Sequence, residues 1–305
     1  MKKHKMIFGI VSDVYGIKHP LPETLRRLSK NGFKAVEIVS EHVCQLTGHS
    51  ALSSRKTSSK KNLFSVRKMC DDLGLIVWQV HGPYGNLDLV ADRGRVQKNN
   101  VDSYKRWIDH SILLGAKTLI VHPGGRSDVC QTKDTDLIKN ENAASLMKLI
   151  GHIGKEDFKL AVENLPSRSA EHPHIFNRFC NKITELNELL SLLKSDKAGI
   201  CLDTGHANLE NLDVVVAVGT AGKNLIATHI NENNAVHDLH MFPFSLREKY
   251  SRLNWFEIFG AFKDIRYSHP LIGECANSTG ELPLWLCDSY LRHQRELVEK
   301  AANES

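Results

Sequence analysis

Short, nearly unbroken apolar runs alternate with amphipathic segments from one end of the sequence to the other. The runs are Phe8–Val11, Ala35–Val39, Leu75–Val80, Thr118–Val121, Leu160–Val162, Ala198–Leu202, Leu225–Thr228 and Leu271–Gly273. Runs of this kind predict strands buried on both faces, as in a parallel sheet. The segments between them carry helical spacing. Leu21, Leu25 and Leu28 recur at i, i+4 and i+7, with Pro22 near the start and Gly32 past the end. Leu63–Leu73, Tyr104/Ile108/Ile112, Leu146/Ile150/Ile153, Ile183/Leu186/Leu190/Leu193, Leu209–Val218, Trp255/Ile258/Phe259/Phe262 and Leu284–Val298 continue the pattern. Strict alternation of strand and helix predicts the α/β class. Eight such units, with no G-x-G-x-x-G, favour one closed (β/α)8 TIM barrel over a doubly wound sheet. The 305 residues exceed the usual domain size, but α/β barrels reach ~250 residues or more as one domain. With no shift in composition to mark a boundary, the expectation is a single domain over residues 1–305.

Three connections lack helical spacing: Ser40–Asn62, Asn164–Lys182 and Asn231–Asn254. Each follows a strand, so each is expected at the barrel face where active sites form. The first, rich in Ser, Thr and Lys, reads either as a lid or as a solvated insertion.

Composition removes several classes. Hydrophobic residues at 41% and charged residues at 25% are ordinary for a globular chain. No stretch approaches the ~18 apolar residues that a membrane span needs. Lys+Arg 40 against Asp+Glu 35 is a mild, dispersed excess that neither demands nor excludes a polyanion. Seven cysteines without a C-x-x-C pair read as reduced thiols of a cytoplasmic protein.

The ends of the predicted strands carry the chemistry. Strands three to eight run into His81, His122, Glu163, Asp203, His229 and Glu274. In a barrel these ends converge on one mouth. An acid or imidazole at the end of an apolar run is costly to bury unless it is paired or metal-bound. Several at one mouth repel one another or shift their pKa values unless a cation sits among them. Carboxylates with one imidazole suit Mn, Co, Mg or Zn.

At these residues the chain resembles the xylose-isomerase-like barrel superfamily, which groups sugar-phosphate isomerases and epimerases with the apurinic-site nuclease endonuclease IV. The resemblance runs from Gly32-Phe33 and Val36-Glu37 to Glu274 and is strongest in HGPY (His81–Tyr84), LGAKTLIVHPG (Leu114–Gly124), ENLP (Glu163–Pro166) and LDTGHAN (Leu202–Asn208). It implies one divalent ion held by Glu163, Asp203, His229 and Glu274, with His206 touching substrate. The nuclease branch implies additional metal ligands at His81, His122, His206, Asp238 and His240. Around His229-Ile230-Asn231-Glu232 and His240–Pro243 the chain departs from the nuclease pattern. Where ketose epimerases carry a substrate-binding Arg this chain has Ala235, and Arg247 or Arg252 is the expected substitute. A homo-oligomer is also implied by the resemblance.

The leading expectation is a metal-dependent sugar or sugar-phosphate isomerase or epimerase. Glu163 and Glu274 would be its acid/base pair, and His206 would polarise a substrate oxygen. Glu37 would either touch substrate or make a buried polar contact low in the barrel. Trp78 and Tyr84 would either wall the sugar site or serve as packing. The alternatives are a trinuclear zinc nuclease acting on abasic DNA, a related lyase or dehydratase, and a non-catalytic sugar-binding barrel. The nuclease would need mouth cations from the set Lys56, Lys60, Lys61, Arg93, Arg95, Arg126 and Arg168.

Overall fold

The computed structural model describes residues 5–48, 60–84, 87–90, 95–125, 134–167, 178–247, 250–279 and 282–305. Its strands are β1 (Phe8–Val11), β2 (Ala35–Ile38), β3 (Ile76–His81), β4 (Thr118–Val121), β5 (Lys159–Glu163), β6 (Ala198–Asp203), β7 (Leu225–His229) and β8 (Leu271–Gly273). All eight lie in one sheet in the order β7-β6-β5-β4-β3-β2-β1-β8. A parallel bridge from Ile230 to Gly273 joins the two outermost strands, so the sheet closes into a (β/α)8 barrel. Around it lie α1 (Leu21–Lys30), α2 (Ser40–Thr47), α3 (Lys60–Leu73), α4 (Arg95–Leu113), α5 (Thr135–Ile153), α6 (Ile183–Leu193), α7 (Thr204–Leu209), α8 (Val214–Ala221), α9 (Trp255–Asp264) and α10 (Leu284–Glu304).

The strands form because both faces find apolar neighbours. Leu119, Val121, Leu160, Val162, Ile200 and Leu202 face outward into the large core under the helices. The alternate residues Ile120, Ala161, Cys201 and Ala227 face inward and, with Ile226, make a small separate cluster. Period-two alternation then puts the residue two steps further on at the same inner face. That residue is His122 after Ile120, Glu163 after Ala161, Asp203 after Cys201 and His229 after Ala227. The functional side chains therefore stand directly above the plug of the barrel.

Two expectations need correction. Ser40–Asn62 is not one long loop. Ser40–Thr47 is helical, with Glu41 in its first turn, His42 and Val43 buried, and Gly48 closing it at φ 66°. The α3 helix already begins at Lys60, and the segment between, with Lys56, lies outside the described residues. The helix expected over Leu209–Val218 is two helices, α7 and α8. Asp213 breaks the run because its carboxylate accepts the backbone N–H groups of Val215 and Val216 and starts a new helix.

Candidate active site at the barrel mouth

The ends of β5 and β6 are locked together first. The Asn164 side-chain amide donates to the Asp203 carbonyl at 3.0 Å, and the Asp203 N–H donates to Asn164 Oδ1 at 2.7 Å. Asp203 then divides its carboxylate between two tasks. Oδ1 caps α7 by accepting the His206 N–H at 2.6 Å, and Oδ2 accepts from the Asn231 amide at 2.8 Å. Gly205 is required between them, because a Cβ there would collide with Asn231 Oδ1.

Glu163, Asp203, His229 and Glu274 meet at the centre, with one ligand-capable atom from each within 4.8 Å of the others. His229 Nδ1 lies 3.1 Å from Glu163, 3.3 Å from Glu274 and 3.9 Å from Asp203. Its Nε2 points the other way, 2.8 Å from Glu37 Oε2. Glu37, fully buried, also accepts from the Gln79 amide at 2.5 Å. Of the two expectations for Glu37, the structure therefore places it in a buried polar contact beneath the cluster. A carboxylate behind a ligand imidazole fixes which ring nitrogen faces the metal.

The imidazoles form an upper tier. His122 Nε2 comes within 3.0 Å of Glu163 Oε2 and His81 Nε2 within 3.8 Å. His81 stacks on His229 with ring centres 5.5 Å apart, and its Nδ1 donates to the Gly82 carbonyl. His206 donates from Nδ1 to the Asn164 carbonyl at 2.9 Å and turns Nε2 toward Asp238, 3.4 Å away. Asp238 also faces His240 Nε2 at 3.1 Å. His206, Asp238 and His240 thus make a second group able to hold a cation, and His81, Glu163 and His229 a third.

The electrostatics are discordant. Burial would raise Glu163, but His229 and His122 hold it well below the ordinary carboxylate range. Burial pushes Glu274 up to about 7 despite His229 and His240. Burial pushes His122 down to about 4 against the opposing pull of Glu163. Burial also opposes charge on His206 and His229, yet the surrounding acids hold both well above an ordinary imidazole.

Glu163 Oε2, Glu274 Oε2, His122 Nε2 and Asp238 Oδ1 are buried without a hydrogen bond of proper geometry. Orphaned acceptors beside an imidazole lone pair are what a divalent cation satisfies, so the residues present fit the metal that the fold implies.

Three expected substrate contacts part company. Tyr84 lines the mouth cavity and donates its hydroxyl to Glu41 at 2.5 Å. Trp78 does not reach the mouth. It sits three residues below His81 on β3, roughly 10 Å lower at the rise of a strand, and stacks on His269 at the other end of the barrel. Arg247 is exposed and does not line the cavity. Arg252 bonds Asn211 rather than facing the mouth. Of the expected cations, Lys60 and Lys61 are exposed on α3, while Arg93, Arg126, Arg168 and the Arg95 side chain lie outside the described residues. Sequence reasoning missed Asp13 and Glu41, which line the same cavity, and the anchors Gln79 and Asn231.

A model of the xylose isomerase-like TIM barrel family matches residues 25–301. The chain belongs to that family. Protein MJ1311 of Methanocaldococcus jannaschii is 24% identical over 265 residues, 86% of this chain and 81% of that one. A solved D-psicose 3-epimerase superposes with a TM-score of 0.77 at 18% identity, covering 97% of this chain and 99% of its own. A 3-keto-D-glucoside 4-epimerase from E. coli superposes with a TM-score of 0.72 at 16% identity, covering 96% and 100%. At these identities the likeness to the two epimerases is one of fold. Among the described residues of this family member, no helix is long and apolar enough to cross a membrane.

Proposed function

We propose that this protein is a divalent-metal-dependent isomerase or epimerase of sugars or sugar phosphates. The observation that carries the reading is the convergence of Glu163, Asp203, His229 and Glu274 within 4.8 Å, with carboxylate oxygens left unpartnered. These four residues would hold the metal, with His229 offering Nδ1. A divalent cation polarises a carbonyl and so lowers the cost of removing a proton from the neighbouring carbon.

The remaining work falls to side chains. Glu163 Oε2, on β5, and Glu274 Oε2, just past β8, make no well-formed hydrogen bond and would take a proton from one face of a substrate and return it on another. His206, its Nδ1 committed to the Asn164 carbonyl, lines the cavity with Nε2 beside Asp238, from where it would donate to a substrate oxygen. The sugar-epimerase names of the fold neighbours support this reading.

The test is to load the protein with Mn or Co, incubate it with ketoses and their phosphates in D2O, and follow deuterium entering beside the carbonyl by NMR. Exchange is expected with wild type and lost in Glu163→Gln. No exchange with any of them would overturn the reading. The second group, His206 with Asp238 and His240, favours a runner-up, a multinuclear zinc phosphodiesterase. About three zinc ions per chain together with cleavage of abasic DNA would promote it.

A further inference from the structure

The same tetrapeptide pattern closes the first two strands. Ile10-Val11-Ser12-Asp13 ends β1 and runs past it, and Ile38-Val39-Ser40-Glu41 ends β2 and enters α2. In each, the valine lines the mouth cavity and the acid two residues later lines it again. The two segments are built into one wall. The Ser12 hydroxyl donates to His42 Nδ1 at 2.9 Å and accepts the Val39 N–H at 3.1 Å. His42 is fully buried, so the neighbours of these two anchors, Asp13 and Glu41, are held in place.

The two acids differ in what they have to bind. Glu41 accepts from the Tyr84 hydroxyl at 2.5 Å and from Ser40 Oγ at 2.9 Å. Asp13 Oδ1 is buried and has no hydrogen-bond partner. Burial, with Glu37 and Glu41 adding, pushes its carboxyl up to about 6. The cavity it faces holds about 350 Å³. Opposite stands Glu163, 1% exposed, with its own unpartnered oxygen. The described lining residues comprise five carboxylates and four imidazoles, with no Lys or Arg among them, and Arg178 lies near enough to His122 to oppose charge on it. Near β7 and β8, where barrels of this kind commonly seat a phosphate, the lining residues include Asp238 and Glu274.

Strands β1 and β5 lie four positions apart in either direction around the eight-stranded barrel. Glu163 thus faces Asp13 across the mouth, while Glu274 follows β8, the neighbour of β1, so a sugar whose reacting end is held by Glu163, Asp203, His229 and Glu274 leaves its remote end in the cavity that Asp13 lines. From this geometry we infer that Asp13, seated beside Glu41, is the specificity-determining residue for that remote end, accepting hydrogen bonds from its hydroxyl groups and excluding a phosphate or carboxylate. The substrate class is an uncharged polyhydroxy ketone. This rests on the isomerase reading above and narrows it.

The test uses the full chain loaded with Mn and matched pairs of probes: D-fructose with its 6-phosphate, and D-xylulose and D-ribulose with their 5-phosphates. Dissociation constants come from calorimetry, alongside metal content and a thermal melt to show that each variant is folded and loaded. Wild type should bind the free member of at least one pair tenfold or more tighter than its phosphate. Asp13→Asn should narrow that ratio severalfold with metal content unchanged, and Asp13→Ser should do the same if Asn disturbs the loop. A phosphate bound as tightly as its free sugar, or a ratio untouched in both variants, overturns the role of Asp13 and leaves the sugar reading standing. Binding of neither member of any pair by the metal-loaded wild type overturns both.

Discussion

The two ends of this barrel are made from the same eight strands and are finished in opposite ways. At the floor the register slips twice. Between β2 and β3, Val36 pairs with Val77 but Glu37 with Gln79, leaving Trp78 over. Between β6 and β7, Ile200 pairs with Leu225 but Cys201 with Ala227, leaving Ile226 over. A bulge frees backbone groups and redirects a side chain. Here the two bulges answer each other, since Trp78 Nε1 donates to the Ile226 carbonyl at 3.2 Å. The Trp78 ring stacks on His269 with centres 4.6 Å apart, and Tyr267 packs edge-on against His269. At the mouth, by contrast, Asp13, His122, Glu163, Asp238 and Glu274 all keep a buried atom unbonded. The Trp78 bulge closes its own hydrogen bond, whereas above it, from Glu37 Oε1 and Gln79 Oε1 up to the mouth, buried atoms are left for something the chain does not supply.

The largest effect should come from breaking the mouth. Glu163→Gln is expected to lower turnover by about 10³-fold or more, the range of a lost acid/base group, without lowering the melting temperature. Substrate exchange rates and a thermal melt on the same sample check both halves. Loss of stability in step with activity would mean that Glu163 is a structural strut like those below. Trp78→Ala should do the reverse. Removing a large aromatic core side chain costs about 3–5 kcal/mol, and the half-buried position of Trp78 sets the lower figure. Urea unfolding measures that loss, and activity per folded molecule should hold. A selective loss of activity would show that the floor tunes the mouth through β3.

How legible each end was follows from the same contrast. All eight strands were readable because apolar runs buried on two faces have no other use in a chain this size. The structure extends β3, β5, β6 and β7 by one residue, to His81, Glu163, Asp203 and His229, so these side chains sit on strands and not on loops. The mouth acids were legible because a charged residue ending an apolar run is anomalous. Asp13 and Glu41 were not, since each stands two residues past the last apolar position, where polar residues are ordinary. The placement of Trp78 was illegible for a different reason. A one-residue bulge leaves no mark in the apolar pattern, so nothing in IVWQVH says that Trp78 and Gln79 both turn inward. Glu37 was half legible, because an acid inside a strand must be paired, but its partners come from β3 and β7.

Glu37 joins the two ends and gives the third test. With Gln79 donating to it and His229 Nε2 beside it, it supports the mouth from below. Glu37→Gln should weaken metal binding by about 10–100-fold, the usual cost of losing a carboxylate behind a ligand imidazole. Calorimetric titration with Mn or Zn reads this directly. Unchanged affinity would place Glu37 with the floor as packing alone.

The smallest expected effect asks whether satisfaction or location makes the difference. His42 lies at the mouth end, on α2, yet it is satisfied like the floor: Ser12 donates to Nδ1, and Nε2 donates to the His19 carbonyl at 3.3 Å. Burial depresses its pKa below the ordinary 6.5, against the raising effect of the His19 carbonyl. Since the folded protein holds this ring neutral, the unfolded chain binds more protons below pH 6.5. The stability contributed by His42 should therefore be whole above that pH and decline as the pH falls toward its folded-state value. Denaturant unfolding between pH 7 and 5, compared with His42→Gln, isolates the slope, and the variant should show a shallower one. An identical slope would remove His42 from the satisfied set and leave the contrast between mouth and floor as one of position alone.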